Sequence, residues 1–166
     1  MIAGRTLPTG REIASHEAHH VAALLLAGLP PREVRIDWPT RNSVGATYVD
    51  WGDGPDREKA RAVLRAILVG GMCNGFDGWD HWPIDPERVP VGARRDAEQA
   101  RMLAKYIGIS DRATWGFHVW RAHRLARTPA FRRLAVAIAS ELERVEVLDA
   151  HDLAALMEPT PEAVAA

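Results

Sequence analysis

Positions 16–20 read His-Glu-Ala-His-His, and three of these side chains can work together. Residues four apart on a helix lie about 40° apart around its axis, so His16 and His20 share one face. Two imidazoles so placed can both reach one Zn2+ at about 2.0–2.1 Å. Glu17 lies beside them rather than opposite, close enough to serve a water at the ion without being a ligand. This is the H-E-x-x-H arrangement. Zn2+ supplies Lewis acidity, lowering the pKa of water toward about 7 and polarising a carbonyl. Glu17 takes the water's proton and can pass it to a leaving amine. The chemistry expected is zinc-dependent hydrolysis of peptide bonds. His19 points away from the pair and reads as a structural or surface residue. A catalytic zinc takes three protein ligands and keeps a fourth position open. Asp77, Asp80, Asp85, His81 and Asp96 are all chemically suitable as the third, and spacing alone does not choose among them.

Such a site needs elements that hold it. Thr9 and Glu12 have the spacing of a capping box opening a helix that runs as far as Ala27. Gly28 sits where a C′ glycine belongs, and Pro30 and Pro31 stop continuation. The motif therefore lies mid-helix, followed by the apolar run Val21–Leu26 that buries the helix. Glu33–Trp38 alternates, with Val34, Ile36 and Trp38 on one face; after a turn at Pro39–Asn42, Val44–Trp51 gives Val44, Ala46 and Tyr48 one parity. The two runs predict a hairpin.

Asp56 can cap a second helix through Ala60, Val63, Leu64, Ile67 and Leu68 toward Gly70 and Gly71. The stretch 75–92 is irregular, of a length that in a compact domain marks function or mobility. Further helices are expected at about Arg95–Tyr106, closed by Gly108, and from Asp111 through Trp115, Val119, Ala122 and Leu125. Another should run from Thr128 and Pro129, as Ncap and N1, to about Val147, and a short one from Asp149 to Met157. The expectation is an α+β fold, mainly α, with about six helices and one early β-hairpin. It forms a single domain over 1–166, with its core at about 9–157 and frayed termini.

At 166 residues the chain can bury a core without disulfide help. Its 47% hydrophobic and 26% charged residues exclude a disordered chain. A formal net charge of −1 gives no global case for nucleic acid or an anionic membrane as partner. Cys73, the single cysteine, can form neither a disulfide framework nor a CxxC knuckle, so a reducing, cytoplasmic setting is expected. No apolar run approaches the roughly 18 residues of a membrane span, and Pro8 and polar residues interrupt any signal-peptide pattern. Trp79, His81 and Trp82 can form a lid or anchor their loop; anchoring is the simpler expectation. His118 and His123 read as ordinary helix histidines rather than oxyanion donors. Arg121, Arg124, Arg127, Arg132 and Arg133 read as a solvated face rather than a phosphate site.

In order, these pieces resemble the protease domain of the FtsH-type membrane-anchored, ATP-dependent zinc metallopeptidases. That family reads HEAGH, then a strand with Leu-Gly-Tyr-Thr, a helix ending in Leu-Gly-Gly-Arg and a helix opening with Asn-Asp. The matching pieces here are Val44-Gly45-Ala46-Thr47, Leu68-Val69-Gly70-Gly71 and Arg95-Asp96-Ala97-Glu98-Gln99-Ala100. Lys105-Tyr106-Ile107-Gly108-Ile109-Ser110-Asp111 and the stretch from Leu148-Asp149 to Leu156 also match, so the likeness covers about 9–157. It implies Asp96 as third zinc ligand and Glu17 as general base. It also implies Gly45, Ala46, Thr47 and Tyr48 as an edge that pairs with extended substrate. The sequence departs from the family at Cys73-Asn74-Gly75-Phe76, where the family has Ala-Glu-Glu, and in the loop Asp77–Pro83.

The family's ATPase module and membrane helices are not among these residues. The expected substrate is therefore a peptide or an unfolded protein segment, with a separate ATPase partner as a further reading, and the family's rings imply a homo-oligomer. The competing expectation is a non-proteolytic regulatory module that keeps the metal as a cross-link. The intact Glu17 weighs against it.

Overall fold

Thr9 accepts the backbone N–H of Glu12 while the Glu12 carboxylate accepts that of Thr9, and this reciprocal cap starts α1, Gly10–Leu26. In the computed structural model, residues 9–36, 45–51, 56–73, 78–85, 89 and 93–158 are described. At the far end of α1, Gly28 takes φ +72°, donating to Leu25 O while Leu29 donates to Leu24 O. This pair of bonds is a Schellman closure, and it places the glycine at the position the sequence indicated. The apolar residues of α1 between Ile13 and Leu25 are buried, and the helix packs against α2 (Arg57–Cys73), α5 (Pro129–Val145) and the strands. It is the central rod of the molecule.

β1 (Pro31–Ile36) and β2 (Gly45–Val49) form the expected antiparallel hairpin. β1 begins earlier than its alternation suggested, because Pro31, which has no N–H to donate, can open a strand. Trp38, Pro39–Asn42 and Val44 lie outside the described residues. The face of β2 toward α1 carries Gly45, Thr47 and Val49, the parity opposite to that of Ala46 and Tyr48. Tyr48, 48% exposed, faces outward.

α2 does not stop at its glycines but runs through Gly70 and Gly71 to Cys73. Both are places of close approach: a Cβ on Gly70 would stand 2.2 Å from His20 Cε1, and one on Gly71 2.1 Å from Trp79 Cζ2. After a single 3-10 turn at Gly78–Asp80 come α3 (Arg94–Ile107), closed by Gly108 at φ +83°, and α4 (Arg112–Ala126), capped by Asp111. Thr128 caps α5 with Pro129 in its first turn, as expected. That helix ends before Val147, however. Glu146 turns into the left-handed region at φ 63°, and Val147–Asp149 become a strand, β3, paired antiparallel with β1. The sheet order is β2-β1-β3. Asp149 then caps α6 (Ala150–Met157).

The architecture is α+β and mainly helical, with six α-helices and a small antiparallel sheet among the described residues. Among those residues no helix is long and apolar enough to cross a membrane.

Candidate metal centre

α1, α2 and α3 meet at three side-chain atoms. His20 Nε2 lies 3.0 Å from His16 Nε2, and Asp96 Oδ2 lies 3.1 Å from the first histidine's Nε2 and 3.4 Å from the second's: His16 and His20 respectively. Ligands held at about 2.0–2.1 Å by a tetrahedral Zn2+ stand roughly 3.3 Å from one another, so these separations are those of a coordination edge.

The far nitrogen of each ring is committed elsewhere. His16 Nδ1 donates to Gly70 O at 3.1 Å and His20 Nδ1 to Ala66 O at 3.0 Å, both carbonyls one turn apart on α2. With Nδ1–H spent, the neutral form of each ring presents a bare Nε2 lone pair to the other and to the carboxylate. Two lone pairs and an anionic oxygen in mutual contact repel unless a cation stands among them. Asp96 Oδ2 is buried and accepts no well-formed hydrogen bond.

The charge states reflect that demand. Burial works against a charge on His20, but Asp96 and then Glu17 outweigh it and push its pKa up to about 9. Burial would raise the Asp96 carboxyl, yet the charges and hydrogen-bonding reach of His20 and His16 hold it well below the usual carboxylate range. A proton shared here is the ordinary substitute for a metal ion, and the two compete. A pair of imidazoles plus a carboxylate, oriented by main-chain acceptors, fits Zn2+ as donor set and in spacing.

Glu17 is buried at 5% exposure, and β2 lies directly on it. Thr47 Oγ1 donates to Glu17 Oε2 at 2.7 Å. Gly45 is required at its position, because a Cβ there would fall 2.1 Å from Glu17 Cγ. Glu17, His20 and Asp96 open into one cavity of about 160 Å3, and all four residues Gly45–Tyr48 line the same cavity. Val63, Ala66 and Ile67 of α2 add apolar lining to it. Among the described residues β2 pairs with β1 along one edge, and no strand pairs with its other edge.

The structure thus brings together His16, Glu17, His20, Asp96 and the strand Gly45–Tyr48. Of the other third-ligand candidates, Asp80, His81 and Asp85 are exposed, and Asp77 lies outside the described residues. Trp79 and Trp82 anchor their loop: Trp79 is buried against Gly71, its carbonyl accepts from Trp115 Nε1 at 2.6 Å, and Trp82 stacks on Trp115 at 5.0 Å. His19 turns away from the ion position, donating to Ser15 O at 2.6 Å and lying against Phe131. His118 and His123 do not line the cavity. A second group of metal-type ligands, Asp149, His151 and Asp152, is exposed, and its carboxylates serve as the cap of α6.

Sequence reasoning missed Thr47 as a partner of Glu17. The available signal was a threonine next to glycine on a strand beside an H-E-x-x-H helix. Comparison of the chain with models of protein families and with curated proteins finds no match.

Proposed function

We propose that this protein is a zinc-dependent endopeptidase acting on peptides or unfolded protein segments. The observation that carries the reading is the convergence of His16 Nε2, His20 Nε2 and Asp96 Oδ2 at 3.0–3.4 Å beside the buried carboxylate of Glu17. These three side chains would hold the ion, which supplies Lewis acidity for acidifying water and polarising a carbonyl.

The chain's own residues account for the rest. Glu17 accepts a proton from the attacking water at its carboxylate and returns it to the departing amine. Thr47 fixes one carboxylate oxygen, leaving the other free for that transfer. The edge of β2 away from β1 offers main-chain donors and acceptors to an extended peptide, which would lay its scissile bond along the cavity. The apolar lining from Val63 and Ile67 receives a side chain of that peptide and sheds water. The ordered resemblance to the FtsH-type protease domain supports the same assignment. Two histidines and one carboxylate also suit Fe2+. The buried Glu17, which hydrolysis uses and a ferrous site does not need, favours Zn2+.

Bound metal and cleavage of a permanently unfolded protein, measured for wild type, Glu17→Gln and Asp96→Ala, test the reading. Glu17→Gln should keep its zinc and lose at least about 10^2-fold in kcat, the contribution expected of a positioned base. Asp96→Ala should lose both metal and cleavage. Wild type that holds zinc yet cleaves nothing would replace the peptidase with a metal-binding module.

A further inference from the structure

The face of α4 turned away from the core collects positive charge around two aromatic rings. α4 contains no aspartate or glutamate. Phe117 and Trp120 are 51% and 50% exposed and stack on each other with centroids 6.0 Å apart. The Arg121 guanidinium lies 5.7 Å over the Phe117 ring and that of Arg124 5.1 Å over Trp120. With Leu125 and Thr128 they line a shallow cavity of about 410 Å3.

Arg61 and Arg65, one turn apart on the neighbouring α2, extend the patch: Arg65 feels the charge of Arg121, and all three arginines act on His118. Among the described residues the Glu58 carboxylate pairs with Arg61 and also acts on Arg65. Arg65, Arg121 and Arg124 make no ion pair among the described residues. His118 is 7% exposed, and its buried Nδ1 has no hydrogen-bond partner. Gathering four guanidinium groups around one carboxylate is unfavourable. Burial and the neighbouring cations accordingly hold both Arg65 and His118 below their ordinary pKa values. The patch is complementary to an anion.

We propose that this α4 face, extended by Arg61 and Arg65 of α2, docks an acidic peptide segment of a protein partner. A guanidinium laid over a ring keeps its in-plane N–H fork pointing outward and loses little freedom on binding, which suits bidentate capture of carboxylates. The exposed parts of Phe117 and Trp120 supply apolar contact for a side chain between the acids. Single-stranded nucleic acid fits less well. Each ring already has one face under a guanidinium and leans on the other ring, which leaves less room for a stacked base than for a peptide side chain. A net charge of −1 provides no long-range attraction for a polyanion either. The surface is separate from the metal centre, which uses Ala66 and Gly70 on another side of α2.

Fluorescence anisotropy tests this with a labelled peptide alternating Glu and Asp with Leu and Phe, its Lys-substituted counterpart, and a labelled oligo-dT. The acidic peptide should bind and weaken as salt rises, and the Lys peptide should not bind. R121E/R124E should weaken binding at least about tenfold with zinc content and thermal midpoint unchanged. R121Q/R124Q, which does not reverse charge, should fall between that variant and wild type and guards against misfolding of the first. No binding of the acidic peptide, or wild-type affinity in both double variants, overturns the proposal. Tighter binding of oligo-dT than of the acidic peptide overturns it in favour of a nucleic-acid surface. None of these readings depends on cleavage.

Discussion

His16 and His20 owe their orientation to two backbone carbonyls of α2, and that dependence would make the proposed metal centre intolerant of bulk at Gly70. A methyl group there would meet His20 Cε1 at 2.2 Å. Gly70→Ala should lower zinc affinity at least about tenfold, the usual consequence of disturbing an orienting partner, measured by competition with a chromogenic chelator. Gly71→Ala meets Trp79 instead and should cost thermal stability first. Thr47→Val removes the hydroxyl from Glu17 Oε2 and should reduce kcat about tenfold with zinc stoichiometry intact, since one charge-assisted hydrogen bond is lost. His16, Glu17 and His20 were legible because their relation is set within one helical turn. Asp96 was not selected by spacing: its approach depends on how α3 packs on α2, and only the family resemblance singled it out. The hydroxyl of Thr47 and the steric role of Gly70 were equally hidden, being contacts between segments far apart in the chain.

Among the elements, β3 is the one that periodicity did not reveal. Three residues are too few to display alternation, and their pairing partner, β1, lies near the other end of the chain. The end of α5 was invisible for a related reason, as Glu146 enters the left-handed region without being a glycine or asparagine. By contrast, α1, α4 and α5 announced their starts through Thr9, Asp111 and Thr128, whose caps are local chemistry. The burial of β3 makes a sharp test. Leu148 is 1% exposed and Val147 43%. Leu148→Ala should destabilise the protein by about 2–5 kcal/mol in urea unfolding, whereas Val147→Ala should stay within about 0.5 kcal/mol. Equal effects would mean that β3 does not hold its register on β1.

For the whole molecule, the proposed metal centre should couple stability to pH. The raised pKa of His20 contributes stability to the metal-free protein that is fully present below the unfolded value of about 6.5. That contribution is lost as pH rises through about 9. The thermal midpoint of chelator-treated protein should therefore fall across this window. Saturating Zn2+ should abolish the decline, because the ion takes the proton's place, and at 1,000 times its Kd should add about 4 kcal/mol. Calorimetry from pH 6.5 to 9.5 with and without zinc reads both effects; a metal-free midpoint that rises with pH would contradict the coupling.

Asp96 stands in the first turn of α3, a helix whose principal packing partner is α2. An ion bound to His16, His20 and Asp96 would rivet the start of α3 to the central rod. Escape of the ion and detachment of that turn then become one event. Amide deuterium uptake at the beginning of α3 should keep time with the rate at which zinc leaves, and both should slow together when the metal is in excess.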